Sequence, residues 1–237
     1  MSEKTSGGIT RRAMLAATAA TAAGTAFRTP QAAGAAEAPA CAKPAAVKTY
    51  TSANFYCNNA GGKFLAEAAR EAYFDMFRRF SYPISAKLKK DMWVLDFGLR
   101  DFANVGMAGI FWINRQEFGY FGHEIFLLPG QMIPEHRHLA TGKGPAKMES
   151  WHPRHGMIYT FGEGEPTPEL LDRIPASQRT LVHSRHGQPL GIDEVADLNK
   201  LTAWHFMVAG PEGALVTEYG TFHDMDGLRF SNPGAKL

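Results

Sequence analysis

Residues 134–150 read PEHRHLATGKGPAKMES, and this stretch decides how the chain is interpreted. His136 and His138 are one residue apart, so on a β-strand both imidazoles point to the same face. A glycine-containing loop follows, and Glu149 comes eleven residues after His138. Imidazoles beside a hard carboxylate suit Mn²⁺, Fe²⁺, Zn²⁺ or Ni²⁺. The spacing therefore predicts a metal site that begins on a strand.

Glycines flank this motif on both sides. The whole pattern consists of Gly130, His136, His138, Glu149 and Gly156. It resembles the first motif of the cupins, although the ten residues between His138 and Glu149 exceed the usual cupin spacing. The longer loop, which ends in Lys147-Met-Glu149, resembles that of the cupin sugar isomerases known as D-lyxose ketol-isomerases. The resemblance implies that Glu149 binds the metal and that Lys147 is catalytic or holds the substrate.

A second segment, residues 202–226, resembles the second motif of the same family. The resemblance implies that His205 is the last metal ligand and that the following strand, with Glu218, lines the sugar pocket. This chain has Asn199-Lys-Leu-Thr where the family usually has Pro-x-Gly before that histidine. His205 could therefore be a core histidine instead, with His223 as the competing ligand. The likeness covers roughly residues 92–230.

The remaining polar residues near these motifs are candidates for catalysis and substrate binding. Glu218 points inward if it shares a strand face with Val216, which makes it an acid–base candidate. Lys147 is otherwise an ordinary solvated loop lysine. The candidate substrate-binding residues are His152, His155, Asp224 and Asp226. His183 and His186 are expected to be solvated in a hairpin.

The periodicity of the apolar residues predicts a mainly β fold. Between Lys63 and Phe80 they recur at helical spacing, which predicts one amphipathic helix. Short β-favouring runs follow at residues 91–97, 107–113, 120–128, 157–161, 179–183, 202–208 and 214–219. Many short strands without regular strand–helix alternation indicate a sandwich or barrel. The family resemblance specifies a cupin-type β-barrel, or jelly roll, with an N-terminal helix.

The first forty residues differ from the rest of the chain. Arg11 and Arg12 precede a weakly apolar run of Ala, Thr and Gly that reaches Phe27. This pattern predicts a twin-arginine export signal over residues 1–40, recognition by the twin-arginine export machinery and a periplasmic or secreted protein. The alternative is an alanine-rich disordered leader. The run is too short, and its side chains are too small, for a stable membrane anchor.

Residues 41–62 are polar and turn-rich, and we interpret them as a linker to a cupin domain at residues 63–237. Cys41 and Cys57 are the two cysteines, and in an exported protein they either form one disulfide or stay free. The formal net charge is +2, and no stripe of Lys and Arg interleaved with aromatic residues occurs. Nucleic acid is therefore a poor candidate partner.

These features together predict a metal-dependent aldose–ketose isomerase. The resemblance implies the interconversion of D-lyxose and D-xylulose, with D-mannose and D-fructose as a second pair. It also favours Mn²⁺ as the divalent metal and a homodimer as the assembly. Two alternatives stay open: a cupin iron dioxygenase, and a metal-dependent sugar-binding barrel without turnover. Lys147 and Glu218 discriminate between them, because only isomerisation needs both.

Overall fold

The computed structural model describes residues 46–57 and 62–237. Within these residues the α-helices are Ala66–Arg79 (α1) and Ala86–Asp91 (α2). The strands are Trp93–Leu95 (β1), Met107–Arg115 (β2), Tyr120–Leu127 (β3), His136–His138 (β4), Glu149–Gly162 (β5), His186–Leu190 (β6), Ala196–Asp197 (β7), Phe206–Gly220 (β8) and Leu228–Phe230 (β9). Short 3₁₀ helices span Ser52–Asn54, Pro168–Arg173 and Met225–Gly227. The predicted export signal lies outside the described residues.

Two antiparallel sheets form the body of the domain. The larger sheet has the order β1-β2-β3-β8-β5-β6, with β7 paired to β5, and the smaller sheet pairs β4 with β9. An isolated backbone bridge pairs His136 of β4 with His205, which directly precedes β8. A further bridge pairs Met132 with Val208 of β8. The expected mainly β architecture is confirmed. Its longest pairing, β5 with β8, brings the start of β5 beside the end of β8.

Helix α1 covers one side of the larger sheet. It begins three residues later and ends one residue earlier than the amphipathic pattern predicts. Glu67 in its first turn and Arg78 in its last turn complement the helix dipole. On the buried face, the Phe77 ring packs edge-on against Phe126 of β3, with centroids 4.6 Å apart. No helix in the described part of the chain is long and apolar enough to cross a membrane.

The segment predicted to be a linker packs onto the domain. Phe55 and Tyr56 are buried, and the Phe55 ring lies 4.9 Å from that of Phe102. Tyr56 also pairs with Phe64 through a backbone bridge. The linker prediction is therefore wrong for residues 46–57, because their aromatic side chains belong to the core. Cys57 is exposed, and since Cys41 lies outside the described residues the disulfide stays a prediction.

Three of the predicted strands need correction. Residues 179–183 form turns rather than a strand: the Arg179 amide donates to the carbonyl of Pro175, and the Leu181 amide to that of Gln178. The predicted strands 202–208 and 214–219 are not separate. Residues 206–208 and 214–219 belong to one long strand, β8, and residues 202–205 precede it. The Gly-Pro-Glu-Gly sequence between the two predicted strands, residues 210–213, is typical of a turn. The chain continues through it because Gly213 adopts a φ of 81°, which an L side chain rarely allows.

Candidate metal centre

Four side chains converge inside the barrel, and all four are predicted metal ligands. His136 and His138 lie on β4, Glu149 is the first residue of β5, and His205 directly precedes β8. The backbone amides of His136 and His205 each donate to the other's carbonyl at 3.0 Å, which aligns the two histidines. One candidate ligand atom from each of the four residues lies within 4.8 Å of the others. The structure thus assembles the set that the sequence motif suggests.

Backbone carbonyls orient two of the imidazoles. His136 Nδ1 lies 2.9 Å from the Pro134 carbonyl, and His205 Nδ1 lies 2.9 Å from the Ala203 carbonyl. A carbonyl oxygen only accepts hydrogen bonds, so each Nδ1 carries a hydrogen and Nε2 is the nitrogen that can bind a metal. Burial and the neighbouring imidazoles hold the pKa of His136 well below its usual range. A neutral ring with a free Nε2 is the form that binds a metal.

The donor atoms fit a divalent cation. His138 Nε2, His205 Nε2 and Glu149 Oε1 are buried without a well-aligned hydrogen-bond partner. The two nitrogens lie 3.3 and 2.7 Å from that oxygen. Ligands about 2.0–2.2 Å from one cation have separations of this order. Buried polar atoms rarely go unpaired, so a cation that binds all of them accounts for their arrangement.

Glu149 is ionised in this setting. Burial favours its neutral form, but the charge of Lys147 and the neighbouring histidines outweigh burial and hold its pKa well below the usual range. The pKa of His205 is raised, because the Glu149 carboxylate outweighs the opposing effect of burial. The centre therefore has a fixed negative charge that attracts a cation.

Lys147 is buried and is not a solvated loop residue. Its Nζ donates a hydrogen bond to Glu149 Oε2 at 2.7 Å and a second one to Glu218 Oε1. Burial alone would lower the pKa of Lys147, but the two carboxylates outweigh it and raise the pKa. The ammonium group also lies 4.4 Å from the centroid of the Phe121 ring. Lys147 thus remains charged and links the metal ligand to a second carboxylate.

Glu218 points inward from β8, as its alternation with Val216 predicts. Its Oε2 lies 3.0 Å from Nδ1 of His123 on β3, and both side chains are buried. Burial raises the pKa of Glu218 to about 8, an effect that Glu149 strengthens and Lys147 opposes. A carboxyl group with a pKa near neutrality can both accept and release a proton.

Sequence reasoning missed His123. The segment was interpreted only as a β-favouring run, yet Phe121, His123 and Ile125 alternate along β3 and share its buried face. A histidine between two core positions of a strand is a signal that could have identified it. It was not recognised because its partner, Glu218, is far away in the sequence.

A cavity of about 330 Å³ opens above these groups. The four ligands, Lys147 and Glu218 line it on one side. The remaining wall is largely aromatic and aliphatic, and it includes Trp93, Phe111, Trp151, Met207 and Phe230. Such a wall excludes water and strengthens electrostatic interactions within the cavity.

His223, the competing ligand candidate, lines the same cavity but does not belong to the converging set. Its ring stacks on Phe121 with centroids 5.3 Å apart, and its centroid lies 5.5 Å from that of His138. Burial lowers the pKa of His223 to about 2, so this ring is neutral. The geometry favours His205 as the fourth ligand.

The four residues expected to bind substrate lie away from the cavity. Side chains alternate along β5, so His152 faces outward, where its Nε2 lies 3.0 Å from the Ile192 carbonyl. A register shift follows, and His155 stacks on Phe80 at 5.2 Å. These positions correct the expectation that both histidines bind the substrate.

Asp224 and Asp226 hold the loop between β4 and β5 at the surface. Asp224 accepts a hydrogen bond from Thr141 Oγ1, and Asp226 accepts one from Lys143 Nζ at 2.7 Å. Neither lines the cavity that contains the ligands. These contacts fix the loop between β4 and β5, the two strands that carry three of the candidate metal ligands.

Comparison with known proteins places this geometry in context. No protein-family model matches the chain. The D-lyxose/D-mannose isomerase of Thermosediminibacter oceani is 30% identical over 167 residues, covering 70% of this chain and 91% of the relative. The D-lyxose ketol-isomerase of Cohnella laeviribosi is 31% identical over 153 residues, covering 65% of this chain and 82% of the relative.

Solved structures show the same fold at lower sequence identity. A mutant of the L-ribose isomerase of Acinetobacter sp. DL28, in a complex with L-ribose, superposes with a TM-score of 0.58 and 17% identity, covering 72% of this chain and 92% of that chain. An L-ribose isomerase of Cellulomonas parahominis superposes with a TM-score of 0.55 and 16% identity, covering 71% and 91%.

The antiparallel barrel, with three histidines and a glutamate converging inside it, is a cupin-type fold. With 30% identity over nine-tenths of a relative's length, the chain belongs to the D-lyxose isomerase family. It is an enzyme that interconverts aldoses and ketoses.

Proposed function

We propose that this enzyme interconverts D-lyxose and D-xylulose, with D-mannose and D-fructose as a second pair. We further propose Mn²⁺ as the cation bound by His136, His138, Glu149 and His205. The names of the relatives support the substrates, and the mixed nitrogen and oxygen donor set supports a metal of this class. The observation that carries the reaction is the buried Lys147–Glu218 pair directly beside the ligand group.

Isomerisation moves one proton from C2 to C1 of the open-chain aldose and one from the C2 hydroxyl to the carbonyl oxygen on C1. Glu218 takes the C2 proton and returns it to C1, which suits a carboxyl group with a raised pKa. Lys147 stays charged and donates a hydrogen bond to the oxygen of the enediolate that forms. The four candidate ligands would hold a divalent cation, which would polarise the carbonyl and favour the ionised form of Glu218.

The two alternative functions do not need this arrangement. In an iron dioxygenase O₂ takes the open position on the metal, and no protein base is required. A non-catalytic sugar-binding barrel does not need a second buried carboxyl group with a raised pKa, such as Glu218. Burial of Lys147 and Glu218 costs desolvation free energy even though the two are paired, and buried ionisable groups with shifted pKa values cluster at functional sites. Their position beside the cavity therefore supports a catalytic role.

Glu218→Gln tests the assignment, because it preserves the shape of the side chain and removes the base. A positioned acid–base group is typically worth about 10²–10⁴ in rate, so we expect kcat on D-lyxose to fall by that factor with metal content unchanged. Glu71→Gln is the matched control, since Glu71 lies exposed on α1, where it forms an ion pair with Arg78. Near-normal turnover by the Glu218 variant would refute the assigned role.

A further inference from the structure

His123 is a buried histidine that the mechanism above does not use. It lies on β3 directly opposite Glu218 on β8, so both side chains leave the sheet on the same face. Nδ1 of His123 lies 3.0 Å from Oε2 of Glu218, and when Glu218 is ionised, as a base must be, its oxygens only accept, so His123 then donates this hydrogen bond. His123 therefore contacts the group proposed to transfer the proton.

The imidazole of His123 is held in one orientation. Trp93 stacks on it with centroids 5.5 Å apart and an interplanar angle of 25°, and Phe111 meets it edge-on at 4.8 Å. Gly109 leaves room for the ring, since a Cβ there would lie 2.3 Å from His123 Nε2. Packing on several sides fixes the direction in which Nδ1 donates.

The two oxygens of Glu218 have different partners. Oε1 accepts a hydrogen bond from Lys147, which also binds the metal ligand Glu149. Oε2 faces His123, which makes no hydrogen bond to the four ligands in the described part of the chain. A change at His123 can therefore disturb the carboxylate of Glu218 without removing a partner from the metal centre.

We propose that His123 is a positioning residue that fixes the plane of the Glu218 carboxylate for proton transfer between C2 and C1. This inference rests on the function proposed above. A carboxylate held at both oxygens cannot turn, whereas one held by Lys147 alone can rotate about its last side-chain bond. A misplacement of about 1 Å at a reacting group can cost on the order of 10²-fold in rate.

Three variants of His123 in the metal-loaded enzyme test this role. His123→Leu removes the donor, His123→Asn retains an N–H near the position of Nδ1, and His123→Gln places its amide nearer to Nε2. We expect kcat on D-lyxose to fall about 10–100-fold in the Leu and Gln variants, and the Asn variant to recover most of the loss. KM should change by less than about threefold, because His123 is not proposed to bind the sugar.

A kinetic isotope effect separates positioning from a general loss of stability. With D-lyxose deuterated at C2, the isotope effect on kcat should increase in His123→Leu, because proton transfer becomes more rate-limiting. Partial unfolding would lower the active fraction and leave the isotope effect unchanged. His186→Leu is the matched control, since His186 lies exposed on β6 with its Nδ1 2.9 Å from the Glu165 carbonyl.

The outcomes distinguish this inference from the proposed function. A kcat of His123→Leu within about threefold of wild type would overturn the positioning role, as would an Asn variant no better than the Gln variant. The comparison of Asn with Gln decides the matter if the Leu variant does not fold. Absence of D-lyxose turnover in the wild type, or near-normal turnover in Glu218→Gln, would instead overturn the proposed function and this inference with it.

Discussion

At the scale of single residues, the site depends on which polar atoms lack a partner inside the protein. His138 Nε2, His205 Nε2 and Glu149 Oε1 are buried, close together and without an aligned hydrogen bond. Lys147 differs, because it is buried but paired with two carboxylates. The first group suits a bound cation, whereas Lys147 supplies a positive charge beside it.

Removal of one ligand should therefore abolish tight metal binding. His136→Ala deletes one of four donors, and we expect metal affinity to fall by more than about 10-fold, measured as bound metal per chain after dialysis. The melting temperature should also fall, because a cation that binds only the folded state stabilises it. His186→Ala, at an exposed position, is the control. Full metal occupancy in dialysed His136→Ala would contradict the assigned ligand set.

At the scale of secondary-structure elements, the motif glycines have different roles. Gly156 lies in β5 beside a register shift, with a φ of 68°, and a Cβ there would lie 2.0 Å from the Gly213 carbonyl oxygen. Gly130 has a similar φ of 70°, but a Cβ there would meet nothing within 4 Å. Gly156 thus allows the close approach of β5 and β8, whereas Gly130 only permits a turn.

The two glycines give a matched pair of substitutions. Gly130→Ala should lower the free energy of unfolding by about 1–2 kcal/mol, the cost of a left-handed backbone for an L-residue. In Gly156→Ala the added Cβ would also collide with the backbone at Gly213. Such overpacking typically lowers the free energy of unfolding by about 1–3 kcal/mol more. Urea unfolding of both variants measures the difference. Equal losses would show that β5 and β8 are not in close contact at this point.

The element scale also shows where sequence patterns are informative. Helix α1 is predictable because its apolar residues recur every three to four positions over 14 residues. The burial of Phe55 is not predictable, since its partner Phe102 is 47 positions away and the surrounding residues are polar. The turn at residues 179–183 carries β-favouring residues, but Val182 does not join a strand. Its side chain is buried in a cluster with Phe161 of β5 and Phe206 of β8.

At the scale of the whole molecule, the fold brings distant segments to one point. The ligand set was predictable because a known spacing marks it, whereas the pairing of His123 with Glu218 depends on β3 and β8 being neighbours. The outer histidines were misplaced because alternation along β5, and not closeness in sequence, decides which side chains face the cavity. The aspartates lie at the 3₁₀ helix Met225–Gly227, where they bind side chains of the loop between β4 and β5. The expected homodimer stays a prediction, which light scattering of the purified protein would test.

Export is a further proposal at this scale. We propose that Arg11 and Arg12 direct the folded protein to the twin-arginine route, a proposal that rests on sequence alone. Replacing both arginines by lysine should retain the protein in the cytoplasm, measured by fractionation of cells that express either form. Equal periplasmic recovery of the variant and the wild type would contradict this route.

The central claim is that the enzyme isomerises D-lyxose by moving a proton through Glu218. Its most direct test is an NMR measurement of the sugar formed from D-lyxose by the metal-loaded wild type in D₂O. We predict D-xylulose with deuterium at C1, because a proton held by a carboxylate exchanges with solvent before it is returned. Conversion to D-xylulose without deuterium at C1 would contradict proton transfer, and no conversion of D-lyxose would contradict the proposed reaction itself.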